Sequence, residues 1–198
     1  MKYILTLLLL LVAGTSQAAS VTEFRTSVSN APDPYQGKKH RPVKIATIYP
    51  DQQTSDYWRR NLTSMTARLD DLHIAYRWDH YSSRPQQVRQ QEMQLTEALA
   101  HRPDFLVISI NSPRIRKLLS RVLYQGTTQV IIPNQTTANE HWKEFSPLLY
   151  TGFDHQEGSR MLATYLFDKH GSEARYAIIC GTRGKVSELR TQGFHQIA

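Results

Sequence analysis

From residue 43 onward, short apolar runs rich in β-branched residues alternate with stretches whose apolar residues recur at helical spacing. That alternation constrains the fold more than any other feature of the chain. Val43, Ile45, Thr47 and Tyr49 lie in a run that Pro50 ends, and its length and branching predict a buried strand. Trp58, Leu62, Met65, Leu69 and Leu72 follow at steps of 4, 3, 4 and 3, which puts all five on one face of a helix capped by Ser55 or Asp56. Ile74, Tyr76 and Trp78 alternate as a second strand. Pro85 then opens a second helix carrying Val88, Leu95, Ala98 and Leu99, and Pro103 closes it. Phe105–Ile110 reads as a third strand, too uniformly apolar to have a wet face. Arg114–Tyr124 reads as a third helix stopped by Gly126. A strand over Gln129–Ile132, a loop with a short helix around His141–Phe145 and a strand over Leu148–Gly152 come next. A helix over Gly158–Lys169, a sixth strand over Tyr176–Cys180 and a helix over Ser187–Ile197 complete the pattern.

Such alternation predicts an α/β fold, a mostly parallel sheet with helices on both faces. Right-handed crossovers then carry every strand-to-helix loop to the carboxyl edge of the sheet, where open α/β sheets bind ligands. The loops to inspect are therefore Asp51–Trp58, Asn111–Arg114, Asn134–Thr137, Asp154–Gly158 and Gly181–Arg190.

Composition narrows the class without choosing a function. The chain has 198 residues, 40% hydrophobic and 21% charged, with 9 Gly and 9 Pro, which excludes a disordered, collagenous or multi-span membrane protein. A formal charge of +7 suits an anionic ligand or surface but is too diffuse to name one. One cysteine, Cys180, closes no intramolecular disulfide, and no cysteine–histidine cluster has metal-ligand spacing, so neither a metal nor a cofactor is expected.

The first residues predict export. Met1-Lys2-Tyr3 is a positive start, Ile4–Ala13 an apolar run, and Ser16-Gln17-Ala18 a small-residue cleavage site. The run is about half the ~20 residues that span a bilayer. Residues 1–18 are thus expected to be a signal peptide directing the chain to the periplasm. Residues 19–41, with no apolar period, read as an extended arm. Export argues against nucleic acid as a partner of the basic residues.

Catalytic motifs find no support. Gly181-Thr-Arg-Gly184-Lys185-Val-Ser187 has two residues between its glycines and Val186 after the lysine. A phosphate loop needs four between the glycines and a hydroxyl residue after the lysine. No GxGxxG, GxSxG or HExxH occurs. The richest loop is Gln52-Gln53-Thr54-Ser55-Asp56-Tyr57-Trp58, which offers amides, hydroxyls and an indole at a helix start, where free N–H groups favour oxygen-rich ligands. Each of its groups has a plain alternative role. Ser55 and Asp56 suit helix capping and Trp58 suits core packing. Elsewhere, Asn134 suits a turn and Arg190 a solvated helix face.

Ile45–Tyr49 with its polar loop, Leu106–Ile110, Val130–Asn134 and Tyr150-Thr-Gly-Phe-Asp154 stand in the order found in periplasmic binding proteins of the sugar-binding, two-lobed type, and the chain resembles that family. Within it, the autoinducer-2 receptors of quorum sensing are most similar. Residues 41–50, Gln52–Trp58 and 151–160 resemble them nearly residue for residue. The resemblance implies that Gly152-Phe-Asp154 marks the crossing from a first lobe (42–153) to a second (154–198), which stops incomplete, as in a truncated reading frame. It further implies that Gln53, Ser55, Trp58, Asn134 and Arg190 contact a furanosyl borate diester. Amides and hydroxyls would bond its hydroxyls, the indole would cover its ring and the guanidinium would neutralise the borate. The implied partner is the periplasmic domain of a membrane sensor kinase, and no catalysis is implied. The rival expectations are a pentose- or hexose-binding protein of an importer and a secreted hydrolase.

Overall fold

The computed structural model describes residues 20–31, 33–37, 41–51, 56–110, 112–135, 142, 145–171, 173, 175–180 and 184–198. The chain divides into two compact units, Met1–Asp33 and Pro34–Ala198.

In the first unit, Val21–Ser29 forms helix α1. Ser20 and Glu23 make a reciprocal capping box. The Ser20 hydroxyl accepts from the Glu23 N–H at 3.1 Å, and the Glu23 carboxylate accepts from the Ser20 N–H at 2.6 Å. The extended arm expected over 19–41 is corrected here. The Ser20-x-x-Glu23 capping box starts a helix, in which Val21, Phe24 and Val28 follow at steps of 3 and 4.

The second unit runs β1 (Val43–Pro50), α2 (Asp56–Asp71), β2 (Tyr76–Ser83), α3 (Val88–Ala100), β3 (Phe105–Ile108), α4 (Pro113–Gln125), β4 (Gln129–Pro133), β5 (Leu149–Thr151), α5 (His155–His170) and α6 (Lys185–His195). The five strands form one sheet in the order β2-β1-β3-β4-β5. Every neighbouring pair is parallel, with Ile45 opposite Trp78 and Phe105, and Ile131 opposite Leu149.

Alternate residues of the strands feed two cores, as the pleat requires. Ala46, Ile48, Leu106, Ile108, Val130 and Ile132 pack beneath α3 and α4 against Leu95, Ala98, Ile115, Leu119 and Val122. Ile45, Tyr49 and Val107 point the other way, under Trp58, Leu62, Met65 and Leu69 of α2. The helical stripe read from the sequence therefore covers one face of the sheet, and helices lie on both faces. At the amino edge, the Arg41 guanidinium grips the Asp104 carboxylate with two bonds of 2.9 and 2.6 Å. The same carboxylate accepts from the Lys44 N–H at 2.9 Å, which ties β1 to β3.

Several boundaries differ from expectation. Strand β2 begins at Tyr76 and runs on to Ser83, because it pairs with β1 along its whole length. Pro85 opens no helix; it sits in a turn in which the Gln87 N–H bonds the Arg84 carbonyl at 2.9 Å, and α3 starts at Val88. Helix α5 starts at His155, ahead of Gly158, because the Asp154 carboxylate caps it, accepting from the Gln156 and Glu157 N–H groups at 3.0 and 2.9 Å. The sixth strand expected over Tyr176–Cys180 does not form. No described strand lies beside it, and Ile179 is 96% exposed. The short helix expected around His141–Phe145 falls largely outside the described residues. Trp142 within it is buried, its indole N–H bonded to the Ser120 hydroxyl at 2.8 Å.

Candidate functional site

Because all five strands are parallel, Pro50, Ser83, Ile108, Pro133 and Thr151 end at one edge. The loops after β4 and β5 are pressed together there. The Gln135 N–H reaches the Thr151 carbonyl at 3.4 Å. A Cβ on Gly152 would stand 2.8 Å from the Gln135 nitrogen and 2.9 Å from its oxygen, so glycine is what allows the approach. Asn134, first in the β4 loop, holds a left-handed backbone at φ 58°, a conformation asparagine tolerates better than most residues.

Helix α6 lies directly on the first turn of α5. A Cβ on Gly193 would overlap the Gln156 carbonyl oxygen. Behind that contact Phe167, Tyr176 and Phe194 cluster, with ring centroids 5.2 to 6.1 Å apart. This packing brings Arg190, one turn before Gly193, close enough to His155 for its charge to act on that ring.

His155 is the centre of the arrangement. The residue is only 4% exposed, and its Nε2 has no hydrogen-bond partner among the described residues. Burial pushes its pKa down, and the Arg190 guanidinium pushes it further. A hydrogen bond to the Asn134 backbone and the Asp154 carboxylate pull the other way without reversing the shift. The resting ring is therefore neutral at ordinary pH.

Aromatic rings extend from this point into the core. Phe153 meets His155 at 5.4 Å and Tyr57 at 6.1 Å, Tyr57 meets Trp58 at 4.9 Å, and Trp58 meets Tyr49 at 4.7 Å. Burial raises the pKa of both tyrosines, so both phenols stay protonated. The Tyr49 hydroxyl donates to the Asn61 amide oxygen at 2.7 Å.

Of the residues expected to contact ligand, Asn134 lies in the loop after β4 and Arg190 on α6, and both influence the pKa of His155. Trp58 is 5% exposed and packs within the α2 core. Gln53 and Ser55 lie outside the described residues. Sequence reasoning missed His155, Tyr57 and Phe153. All three stood in stretches it had marked, Tyr57 beside Trp58 and Phe153-Asp154-His155 after a strand, but nothing in the spacing set them above their neighbours.

An open hollow of about 760 Å³ lies elsewhere, against α6, where Cys180, Ser187, Thr191 and His195 line it. Asn134, His155 and Arg190 take no part in that lining, so its size does not make it the site. No group of three or more His, Cys, Asp or Glu among the described residues is placed to hold a metal ion. No helix among them is long and apolar enough to cross a membrane.

No protein-family model matches the chain. Solved structures do resemble it. A solute-binding protein of a carbohydrate transporter from Agrobacterium radiobacter, in complex with D-arabinose, is 23% identical with a TM-score of 0.62, over 80% of this chain and 53% of that one. A periplasmic ribose ABC transporter protein from Conexibacter woesei is 20% identical with a TM-score of 0.62, over 79% and 50%. An ABC-transporter solute-binding protein from Burkholderia multivorans is 12% identical with a TM-score of 0.63, over 80% and 56%. The chain thus spans about half the length of these proteins. At such identities the likeness establishes the fold: the parallel sheet and flanking helices are those of periplasmic-binding-protein-like structures.

Proposed function

We propose that this chain is a non-enzymatic periplasmic binding protein that takes a small polyhydroxylated ligand at the carboxyl edge of its sheet. Residues 42–153 supply its first lobe and residues 154–198 belong to a second. The observation that carries the reading is the close packing at the carboxyl edge of the sheet, where the Gln135 N–H beside Asn134 bonds the Thr151 carbonyl and α6, which carries Arg190, lies on the first turn of α5. An amide and a guanidinium beside a helix start suit hydroxyl groups and a single negative charge. The sugar-binding solute-binding proteins of the same fold support the ligand class.

The finer reading is autoinducer-2, as the furanosyl borate diester, with a LuxQ-like sensor kinase as the partner that reads the bound state. It is supported by the likeness of residues 41–50, Gln52–Trp58 and 151–160 to LuxP. On that likeness Gln53, Ser55, Trp58, Asn134 and Arg190 touch the ligand. A pentose- or hexose-binding protein of an importer is the second reading, favoured by the arabinose complex of the Agrobacterium radiobacter protein.

Protein-observed NMR titrations with the borate diester, D-ribose and D-arabinose test this, since they register weak binding as well as strong. The native chain is expected to bind the borate diester best, and Arg190→Met to weaken it about tenfold or more, the loss of a charge-assisted bond worth about 1.5–3 kcal/mol. Preference for ribose or arabinose, with no effect of boron, would transfer the assignment to the importer reading. Turnover of esters or glycosides above a heat-treated control would overturn both.

A further inference from the structure

We infer that the outward face of α4 is a docking surface for a bilayer that carries anionic phospholipid. The inference concerns a different face from the proposed ligand site and does not depend on it. Helix α4 contains four cations, Arg114, Arg116, Lys117 and Arg121, and no carboxylate. Ile115, Leu119, Val122 and Leu123 are buried in the core against the sheet, which fixes how the helix is rotated. Lys117, Arg121 and Tyr124, at steps of 4 and 3, then form a line opposite that stripe, with Arg116 on one flank and Arg114 on the other. All five are exposed. Arg114 is paired with Glu92 of α3 at 2.6 Å. Arg116, Lys117 and Arg121 have no ion pair among the described residues.

These charges work against the helix that carries them. The start of a helix favours acids, and Glu23, Asp56, Glu157 and Glu188 hold the first turn of α1, α2, α5 and α6. The first turn of α4 has no acid, and arginines stand there instead. Lys117 and Arg121, one turn apart, also repel each other. A partner of dense negative charge relieves both penalties. The rest of the face favours a bilayer over an acidic protein. Tyr124 is 72% exposed, and its ring meets that of Phe145, 43% exposed, edge to face at 5.2 Å. A phenol and a phenyl ring beside a row of cations suit the headgroup layer. Aromatic rings with polar tips collect there, and lysine and arginine reach phosphates along their apolar stems. The outside of a helix is convex, so it meets a plane of phosphates with no matching groove. The apolar stripe of α4 stays in the core, so the contact is electrostatic with a shallow aromatic anchor, reversible and weakened by salt.

Sedimentation of the full chain with vesicles tests this. At about 50 mM salt, partition onto equal parts phosphatidylcholine and phosphatidylglycerol is expected to exceed that onto phosphatidylcholine alone by about tenfold or more. It should fall several-fold at about 300 mM salt. Arg116→Gln, Lys117→Gln and Arg121→Gln together should lower it about tenfold, whereas Lys117→Arg leaves it unchanged. Arg25→Gln, Arg84→Gln and Arg175→Gln together, three exposed cations elsewhere, should leave most of it intact. Tyr124→Ser should lower it about threefold at both salts, because burial of a ring is little screened. All the substituted side chains are exposed, and the α4 triple variant is expected to keep a urea midpoint at or above native, since it removes cations from the positive end of the helix. Any contribution of the apolar residues 4–13 is common to every variant and to neutral vesicles, so it cancels. Equal partition onto the two kinds of vesicle, or equal losses in the two triple variants, would overturn the inference. NMR signals of residues 116–124 that move with inorganic phosphate or polyglutamate, but not with the mixed vesicles, would assign the face to a free anion or an acidic protein and overturn it too.

Discussion

Tyr57 and Phe153 meet edge to face, ring centroids 6.1 Å apart and planes at 70°, and this contact joins the first turn of α2 to the loop after β5. The two belong to elements far apart in sequence and at different positions along the sheet. Between them they connect the buried Trp58–Tyr49 pair with the His155 ring, so the candidate site is braced by the core beneath α2.

That contact should be measurable as a coupling energy. In a double-mutant cycle of Tyr57→Ala and Phe153→Ala, urea unfolding is expected to give an interaction of about 0.5–1.5 kcal/mol, the range for well-oriented aromatic pairs. Strictly additive single effects would mean that the rings are neighbours without supporting each other.

Two helical glycines should respond in opposite directions to the same change. A methyl on Gly193 would overlap the Gln156 carbonyl oxygen, so Gly193→Ala is expected to cost about 1–3 kcal/mol as α6 is pushed off α5. Gly158, inside α5, has open space where its Cβ would be. Gly158→Ala is expected to stabilise by about 0.5–1 kcal/mol through reduced backbone freedom in the unfolded chain. Denaturant midpoints of the two variants against the native chain decide it, and destabilisation by both would remove the distinction.

The sheet and its two cores were legible because their physics is local and periodic. Trp58, Leu62, Met65 and Leu69 repeat at helical spacing, and the strands are apolar runs of the right length, so burial followed directly. What failed was whatever depends on a partner. Tyr176–Cys180 has a strand's composition but no neighbouring strand to bond among the described residues, and the length of β2 was set by pairing with β1 rather than by its own alternation. Pro85 and Gly158 misled for a related reason. Helix α5 starts where the Asp154 carboxylate caps it, whereas α3 starts at Val88, after the turn that holds Pro85 and with no side-chain cap at Gln87. In the site, Asn134 and Arg190 could be nominated as residue types. His155 could not, since what sets it apart is its burial, its Nε2 with no partner among the described residues and its contact with Phe153, none of which spacing reveals.

Trp58 separates packing from recognition. At 5% exposure, and in contact with Tyr49 at 4.7 Å, it fills the core under α2. Trp58→Ala is expected to cost about 3–5 kcal/mol, as for large-to-small changes at buried aromatics. Trp58→Phe keeps most of the packing and is expected to cost less. If the indole also covers a ligand ring, the phenylalanine variant will lose affinity by NMR titration while its unfolding midpoint stays near native. Equal affinity in a folded Trp58→Phe variant would leave Trp58 with a packing role alone.

Two histidines set the acid limb of stability. His80 lies at the outer edge strand. The Trp78 indole donates to the Thr47 hydroxyl oxygen at 2.9 Å, which leaves the Thr47 hydrogen free to point at His80 Nδ1, 2.8 Å away. Partial burial lowers the pKa of His80, while burial and Arg190 lower that of His155, so both rings fold with values below the ordinary 6.5. The unfolded chain then takes up protons before the folded one does. Stability contributed by the neutral rings is complete above the unfolded value and is lost as pH falls through the folded values. The urea midpoint is therefore expected to be level above about pH 6.5 and to decline below it, before the carboxylates protonate. Asp104, held below its ordinary range by Arg41 and the Lys44 N–H, adds its own loss only at still lower pH. His80→Phe should flatten part of the first decline and His155→Asn another part. A midpoint that does not move until the carboxylate range would mean that neither ring is held neutral by the fold.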